Sequence, residues 1–125
     1  MNIPKDLKYS ASHEWVKVEG DKALVGITDF AQKELGDLVF INLPNVDDEM
    51  VVEEAFADVE SVKAVSDIIS PVNGVVAEVN EELLDAPEKI NQDAYGAWIV
   101  KVRDFSGLEH LMDAQQYAEL ISKEG

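Results

Sequence analysis

The sequence contains no cysteine, which excludes disulfides, thiolate catalysis and cysteine-ligated zinc. Any sulfur chemistry has to arrive on a cofactor. Basic residues are scarce: 10 Lys and Arg stand against 26 Asp and Glu, a formal charge of -16. A surface of that sign repels phosphate backbones and anionic lipid headgroups, so neither nucleic acid nor membrane is an expected partner. It also favours a monomer and steers the molecule towards basic patches on other proteins. No apolar run approaches bilayer-spanning length, and Met1-Asn-Ile-Pro-Lys-Asp6 has neither the apolar core of a secretory signal nor the Arg- and Ser-rich character of a transit segment. A cytoplasmic location is expected. His13 and His110 are the only two histidines and are too far apart for a metal motif, so no metal site is expected.

The 125 residues fit one domain, here 1–125, and 46% hydrophobic residues suffice for a core despite 29% charged ones. Residues 14 to 27 place two β-rich runs on either side of a turn containing Gly20 and Asp21, which predicts a hairpin. Thr28 is placed to cap a short helix, with Asp29 in its first turn, Phe30, Ala31 and Leu35 facing inward, and Gly36 ending it. Strand signals return at Leu38–Leu43, continue through most of Ala55–Val79, and recur at Trp98–Val102. Pro71 and Gly74 are expected to shape the turn after Ala55–Ser70, with Asn73-Gly74 supplying a positive φ, and Gly74–Val79 alternates as one more strand. Ser106 and Asp113 are expected helix caps, with Tyr117, Leu120 and Ile121 on one face of a C-terminal helix and Met112 and Tyr117 as a hydrophobic staple. Trp15, Phe56 and Trp98 are assigned to the core. Many short strands with small helices at the edges predict a mainly β sandwich or flattened barrel.

The informative stretch is Val59-Glu-Ser-Val-Lys-Ala-Val-Ser-Asp67, a lysine with small or apolar neighbours between two extended flanks. It reads as a hairpin tip, which holds Lys63 away from the core on a rigid support. A free lysine has a pKa of about 10.4, so an enzyme acylating it must first remove a proton. Once acylated it loses its charge and becomes the base of a tether. Taken alone, a lysine in a turn is ordinarily a solvated charge.

Glu60-Ser-Val-Lys-Ala64, with Ser66-Asp67 and Ser70-Pro-Val-Asn-Gly74, resembles the lipoylation region of the glycine cleavage system H-protein family. Tyr9-Ser10, Ser12-His-Glu-Trp-Val16, Val25-Gly-Ile-Thr-Asp-Phe-Ala31, Leu35-Gly-Asp-Leu-Val-Phe40, Leu43-Pro44, Glu78-Val-Asn80, Ile90-Asn91 and Tyr95-Gly96 resemble family signatures in order, over essentially the whole chain. Biotin carriers usually flank their lysine with methionines, and 2-oxoacid dehydrogenase lipoyl domains place Asp before it. Val62 and Ala64 fit neither pattern. The family departures are Asp47 for a glycine, Glu53-Glu54-Ala55 for a Gly-Glu-Pro-like run, Ala57 for another glycine, and one residue lost around Tyr95-Gly-Ala-Trp98.

The resemblance implies a barrel-sandwich hybrid of the lipoyl/biotinyl-carrier type, with short peripheral helices and a C-terminal helix. It further implies lipoic acid covalently bound to Lys63, and a non-catalytic carrier with no catalytic residues of its own. In such a system the arm takes the aminomethyl group of glycine from a pyridoxal-phosphate-dependent glycine decarboxylase to a tetrahydrofolate-dependent aminomethyltransferase. Dihydrolipoamide dehydrogenase then reoxidises it, and lipoyl-attaching enzymes load it beforehand. Ser12, Glu14 and Asp67 match positions lining an arm-docking cleft, where carboxylates would favour a cationic amine and Ser12 would add a hydrogen bond. The altered glycines leave open an H-like protein that acts mainly as a lipoyl donor for other complexes. An enzyme working through carboxylates such as Glu14 and Asp67 is the reading from a different class, and no nucleophile–base pair supports it.

Overall fold

The computed structural model describes residues 1–124. Its strands form two antiparallel sheets: six strands in the order β1-β2-β3-β9-β8-β5, and three in the order β4-β6-β7. The large sheet comprises β1 (Lys8–Tyr9), β2 (Glu14–Glu19), β3 (Lys22–Ile27), β5 (Glu49–Met50), β8 (Asn73–Val79) and β9 (Val100–Ser106). The small sheet comprises β4 (Leu38–Asn42), β6 (Ala55–Ser61) and β7 (Val65–Ile69). Four helices complete the fold: α1 (Asp29–Leu35), α2 (Glu82–Asp85), α3 (Lys89–Gln92) and α4 (Ala114–Glu124). The architecture is thus mainly β, as expected. The two sheets remain separate, and among the described residues no closed barrel forms.

Alternation along the strands builds the core. Val16, Val25 and Val102 of the large sheet meet Ile41, Val59 and Ile68 of the small one in a single buried cluster, because residues two apart share a face. The opposite face of β2 and the end of β1 offer Trp15 and Tyr9 to a second cluster, closed by Phe30, Tyr117 and Ile121. Tyr9 and Tyr117 stack there with ring centroids 4.7 Å apart. Leu7 and Tyr9 thereby receive the apolar face of α4.

The expected β2–β3 hairpin forms, pairing from Glu14↔Ile27 to Glu19↔Lys22. At α1, the Thr28 hydroxyl accepts from Ala31 N at 3.2 Å, and Gly36 closes the helix at φ 83°. Asp113 caps α4 as predicted: its carboxylate accepts from Gln116 N at 2.8 Å while Gln116 Oε1 accepts from Asp113 N at 3.0 Å. Met112 and Tyr117 pack in the same cluster.

Three local expectations are corrected. Ser106 caps no helix; it ends β9 opposite Asn73, and the chain then turns at Gly107 with φ 76°. The last central strand begins at Val100 and not at Trp98, because the Asn80 side-chain amide takes the Trp98 carbonyl at 2.8 Å. Gly74 has the expected positive φ, 157°, and its strand runs to Val79 as expected, but the pair makes no turn and already lies in β8, where a Cβ on Gly74 would stand 2.4 Å from Val102 Cγ1. The turn before it is held by Ser70, whose hydroxyl donates to the Val72 carbonyl at 2.6 Å. Trp15 is buried as expected, whereas Phe56 and Trp98 are only partly so, and Lys101 Nζ lies 4.8 Å from the Trp98 ring.

Two of the altered glycine positions keep the conformation a glycine would have allowed. Asp47 has φ 77° and Glu53 has φ 72°. Asp tolerates the left-handed region through its short polar side chain, and Glu53 is held there by its backbone, whose N–H donates to Ser70 O at 3.0 Å. The loops around β5 therefore survive loss of the glycines.

Candidate functional site

Strands β6 and β7 pair from Ala55↔Ile69 to Glu60↔Val65, leaving Val62, Lys63 and Ala64 as the tip. One side chain organises it: Ser61 Oγ accepts from Lys63 N at 3.2 Å and from Ala64 N at 3.1 Å, while Ser61 N donates to Ala64 O at 2.8 Å. Val62 N donates to Asp37 O at 3.1 Å and ties the tip to the start of β4. The tip is therefore rigid although it projects. Lys63 is exposed, and none of the seven ion pairs among the described residues includes it. Its Cε passes over Gly36, 3.5 Å from where a Cβ would stand.

Beside this hairpin, between α1 and the edge of β7, lies a cavity of about 160 Å³ lined by Ser12, Glu14, Phe30, Leu35, Ser66 and Asp67, among others. Ser12, Glu14 and Asp67 thus come together, although Glu14 and Asp67 stand 53 positions apart in the chain. Leu35 of the lining is the chain neighbour of Gly36, over which Lys63 Cε passes, so the cavity lies close to the outer part of the Lys63 side chain.

Glu14 dominates its electrostatics. The residue is 3% exposed. Its Oε1 accepts from Ser10 Oγ at 2.7 Å and from Ser12 Oγ at 2.5 Å, and its Oε2 accepts from Ile69 N at 3.4 Å. Burial nevertheless pushes its pKa up to about 7, the hydrogen bonds only partly offsetting the loss of water. Among the described residues no cationic side chain compensates it. Asp67 is different: it is exposed at the cavity rim, directly across the ladder from Asp58. Ser12 is exposed as well, so the site grades from a wet rim to a dry carboxylate.

The sequence reading missed Ser10, His13 and Tyr117. His13 adopts φ 76° between Ser12 and Glu14, an uncommon conformation for a residue with a side chain. Its Nδ1 lies 2.8 Å from Tyr117 Oη, its Nε2 lies 3.1 Å from Glu124 Oε1, and its ring packs against Phe30 with centroids 4.7 Å apart. Tyr117 Oη in turn lies 2.7 Å from the Thr28 hydroxyl that caps α1. Helix α4 therefore clamps both the 10–14 turn and the helix over the cavity. Only the pairing of His13 with Glu14 in one short run could have signalled it, since Tyr117 is 104 residues away.

A larger cavity of about 250 Å³, lined by Asn80, Glu82, Lys89 and Asp93 among others, lies elsewhere and holds none of these groups. Among the described residues no cluster of His, Asp and Glu could hold a metal ion, and no helix is long and apolar enough to cross a membrane.

A sequence profile described as "Glycine cleavage H-protein" matches residues 7–124. The chain is 57% identical to a glycine cleavage system H protein of Halalkalibacterium halodurans, with 98% of each chain covered. It is 54% identical to the one from Bacillus subtilis, covering 99% of this chain and 100% of that one. The crystal structure of a glycine cleavage system H protein from Mycobacterium marinum superposes with a TM-score of 0.89 at 40% identity, over 96% of this chain and 99% of the other.

Proposed function

Because the chain belongs to the glycine cleavage H-protein family, we propose that it is a non-catalytic carrier bearing lipoic acid in amide linkage on Lys63. Its cargo is the aminomethyl group of glycine, taken from the decarboxylase and delivered to the tetrahydrofolate-dependent aminomethyltransferase, with reoxidation by dihydrolipoamide dehydrogenase. The observation that carries this reading is the juxtaposition of Lys63, exposed and unpaired on a rigid tip, with a cavity whose floor is a buried carboxylate lacking a cation.

The bound lipoyl group supplies a disulfide that accepts the cargo and is later regenerated. This chain's residues bind and shelter. Lys63 would anchor the arm beside the cavity, and Phe30 and Leu35 would give it an apolar wall that excludes water. Glu14 offers its charge to the cationic amine of the cargo, with Asp67 at the rim adding a second carboxylate. Ser10 and Ser12 hold the Glu14 carboxylate in place by donating to the same oxygen.

The positive φ kept at Asp47 and Glu53 preserves the loop geometry there and supports the glycine cleavage reading over that of a lipoyl-relay protein. Expression with lipoate available, followed by intact mass and peptide mapping, tests the assignment. A lipoyl increment on the peptide containing Lys63 is expected, and its loss in Lys63→Arg. An unmodified Lys63 under those conditions sinks the carrier reading.

A further inference from the structure

The outer face of the small sheet is apolar where it meets the lysine hairpin. Strand β4 reads Leu-Val-Phe-Ile-Asn, and strict alternation would send Phe40 inward with Leu38. A bulge between Leu38 and Phe40 prevents this: Leu38 pairs with Ser61 and Phe40 with Glu60, so Val39 is the extra residue. Leu38 and Ile41 stay buried, at 2% and 1%, while Val39 and Phe40 both face solvent, at 56% and 45% exposed. Bulges commonly re-aim side chains next to functional sites. Here the re-aimed residue lands beside the lysine hairpin.

Register places Phe40, Glu60 and Val65 in one row across β4, β6 and β7, a span of about 10 Å at normal strand spacing. Val65 is 69% exposed and Val62, next to Lys63, 70%. Exposing four large apolar side chains in one patch costs hydration free energy that a monomer has no structural reason to bear. Carboxylates surround them: Glu60 within the row, Asp58 and Asp67 in the next row on the same face, and Asp37 before β4.

We propose that Val39, Phe40, Val62 and Val65 form the docking surface for the enzyme that acylates Lys63, whose complementary surface is an apolar floor bordered by Arg and Lys. The inference rests on the carrier reading above. Reach selects this partner over the others. Enzymes working at the far end of the arm meet it a full arm's length from the sheet. The acylating enzyme must instead bring the activated carboxyl of its acyl donor to Nζ itself. There Nζ loses a proton, its nitrogen bonds the acyl carbon and the donor's leaving group departs, within one lysine side chain of Val62 and Val65. Its mouth therefore covers the patch, and its cations meet Glu60, Asp58 and Asp67.

The test uses the full, unmodified chain with a lipoate–protein ligase, ATP and lipoate, following acylation by intact mass. Phe40→Ser and Val65→Ser are compared with Val18→Ser, a site on the other sheet whose exposure, 52%, lies between theirs. Loss of one interface anchor is expected to lower kcat/KM for acylation roughly tenfold in the two patch variants and to leave Val18→Ser at the wild-type value. With NADH as the reductant, the lipoyl disulfide of fully loaded variants should be reduced by dihydrolipoamide dehydrogenase, running its reaction in reverse, at wild-type rates. All three sites are exposed, and unchanged thermal unfolding verifies the fold. Wild-type acylation rates in the patch variants, equal slowing in Val18→Ser, or equal slowing of the dehydrogenase step each overturn the docking surface while leaving Lys63 as the attachment point. Wild-type chain that is not acylated on Lys63 overturns the carrier reading itself, and this inference with it.

Discussion

Glu14 is held at a cost. Its pKa stands at 4.5 in a solvated chain and about 7 in the folded protein, because burial penalises the anion more than the Ser10, Ser12 and Ile69 donors reward it. Within that window the folded state binds more protons than the unfolded one, so stability falls as pH rises from about 4.5 and levels off above about 7. Glu14→Gln keeps the shape and removes the charge. Relative to wild type it is expected to gain up to about 3 kcal/mol between about pH 5 and pH 8, read by urea denaturation at both. The same variant should lose protection of the loaded arm, with faster hydrolysis of the aminomethyl adduct above neutrality. A Glu14→Gln chain that is no more stable at the higher pH would show that the carboxylate is better compensated than its surroundings indicate. A group that destabilises its own fold and improves when replaced is the mark of a side chain kept for function.

At the scale of elements, α1 and α4 are joined through Tyr117. Its hydroxyl lies 2.7 Å from Thr28 Oγ1 and 2.8 Å from His13 Nδ1. Tyr117→Phe preserves the ring and its stacking on Tyr9 but leaves the buried Thr28 hydroxyl and the half-buried His13 ring each short of a partner. A loss of about 1–3 kcal/mol is expected in denaturant unfolding, and an unchanged midpoint would deny α4 its role as a clamp. How much of this was legible follows the range of the signals. Thr28, Gly36, Asp113 and the β2–β3 turn announce their elements within a few residues, so α1, α4 and the hairpin were readable directly. The one-turn helices α2 and α3 span four residues each, too few for any apolar period to emerge. Ser106 looked like a cap because a hydroxyl before a polar stretch is ambiguous until the ladder partner Asn73 is known. The cavity was legible only through family resemblance, since periodicity cannot bring residues 12–14, 27–35 and 66–68 together. The β4 bulge has no local sequence signature at all.

The whole molecule carries -16 at neutral pH, and only Lys63 and Lys33 bring positive charge to the hairpin tip and α1. A carrier must be recognised by several enzymes and released by each, which is served better by long-range attraction than by a large buried interface. The seven ion pairs among the described residues are exposed or partly so and contribute little to stability. The excess of carboxylates is therefore free to act outward. Screening shortens from about 30 Å at 0.01 M salt to about 8 Å at 0.15 M, so attraction to basic partner surfaces should weaken over that range. For the loaded chain as substrate of dihydrolipoamide dehydrogenase, the apparent KM is expected to rise several-fold across it while kcat stays constant, since the arm's chemistry occurs after encounter. A flat KM would mean that the net charge serves solubility alone. A falling kcat would place the salt effect on the bound complex and not on its formation.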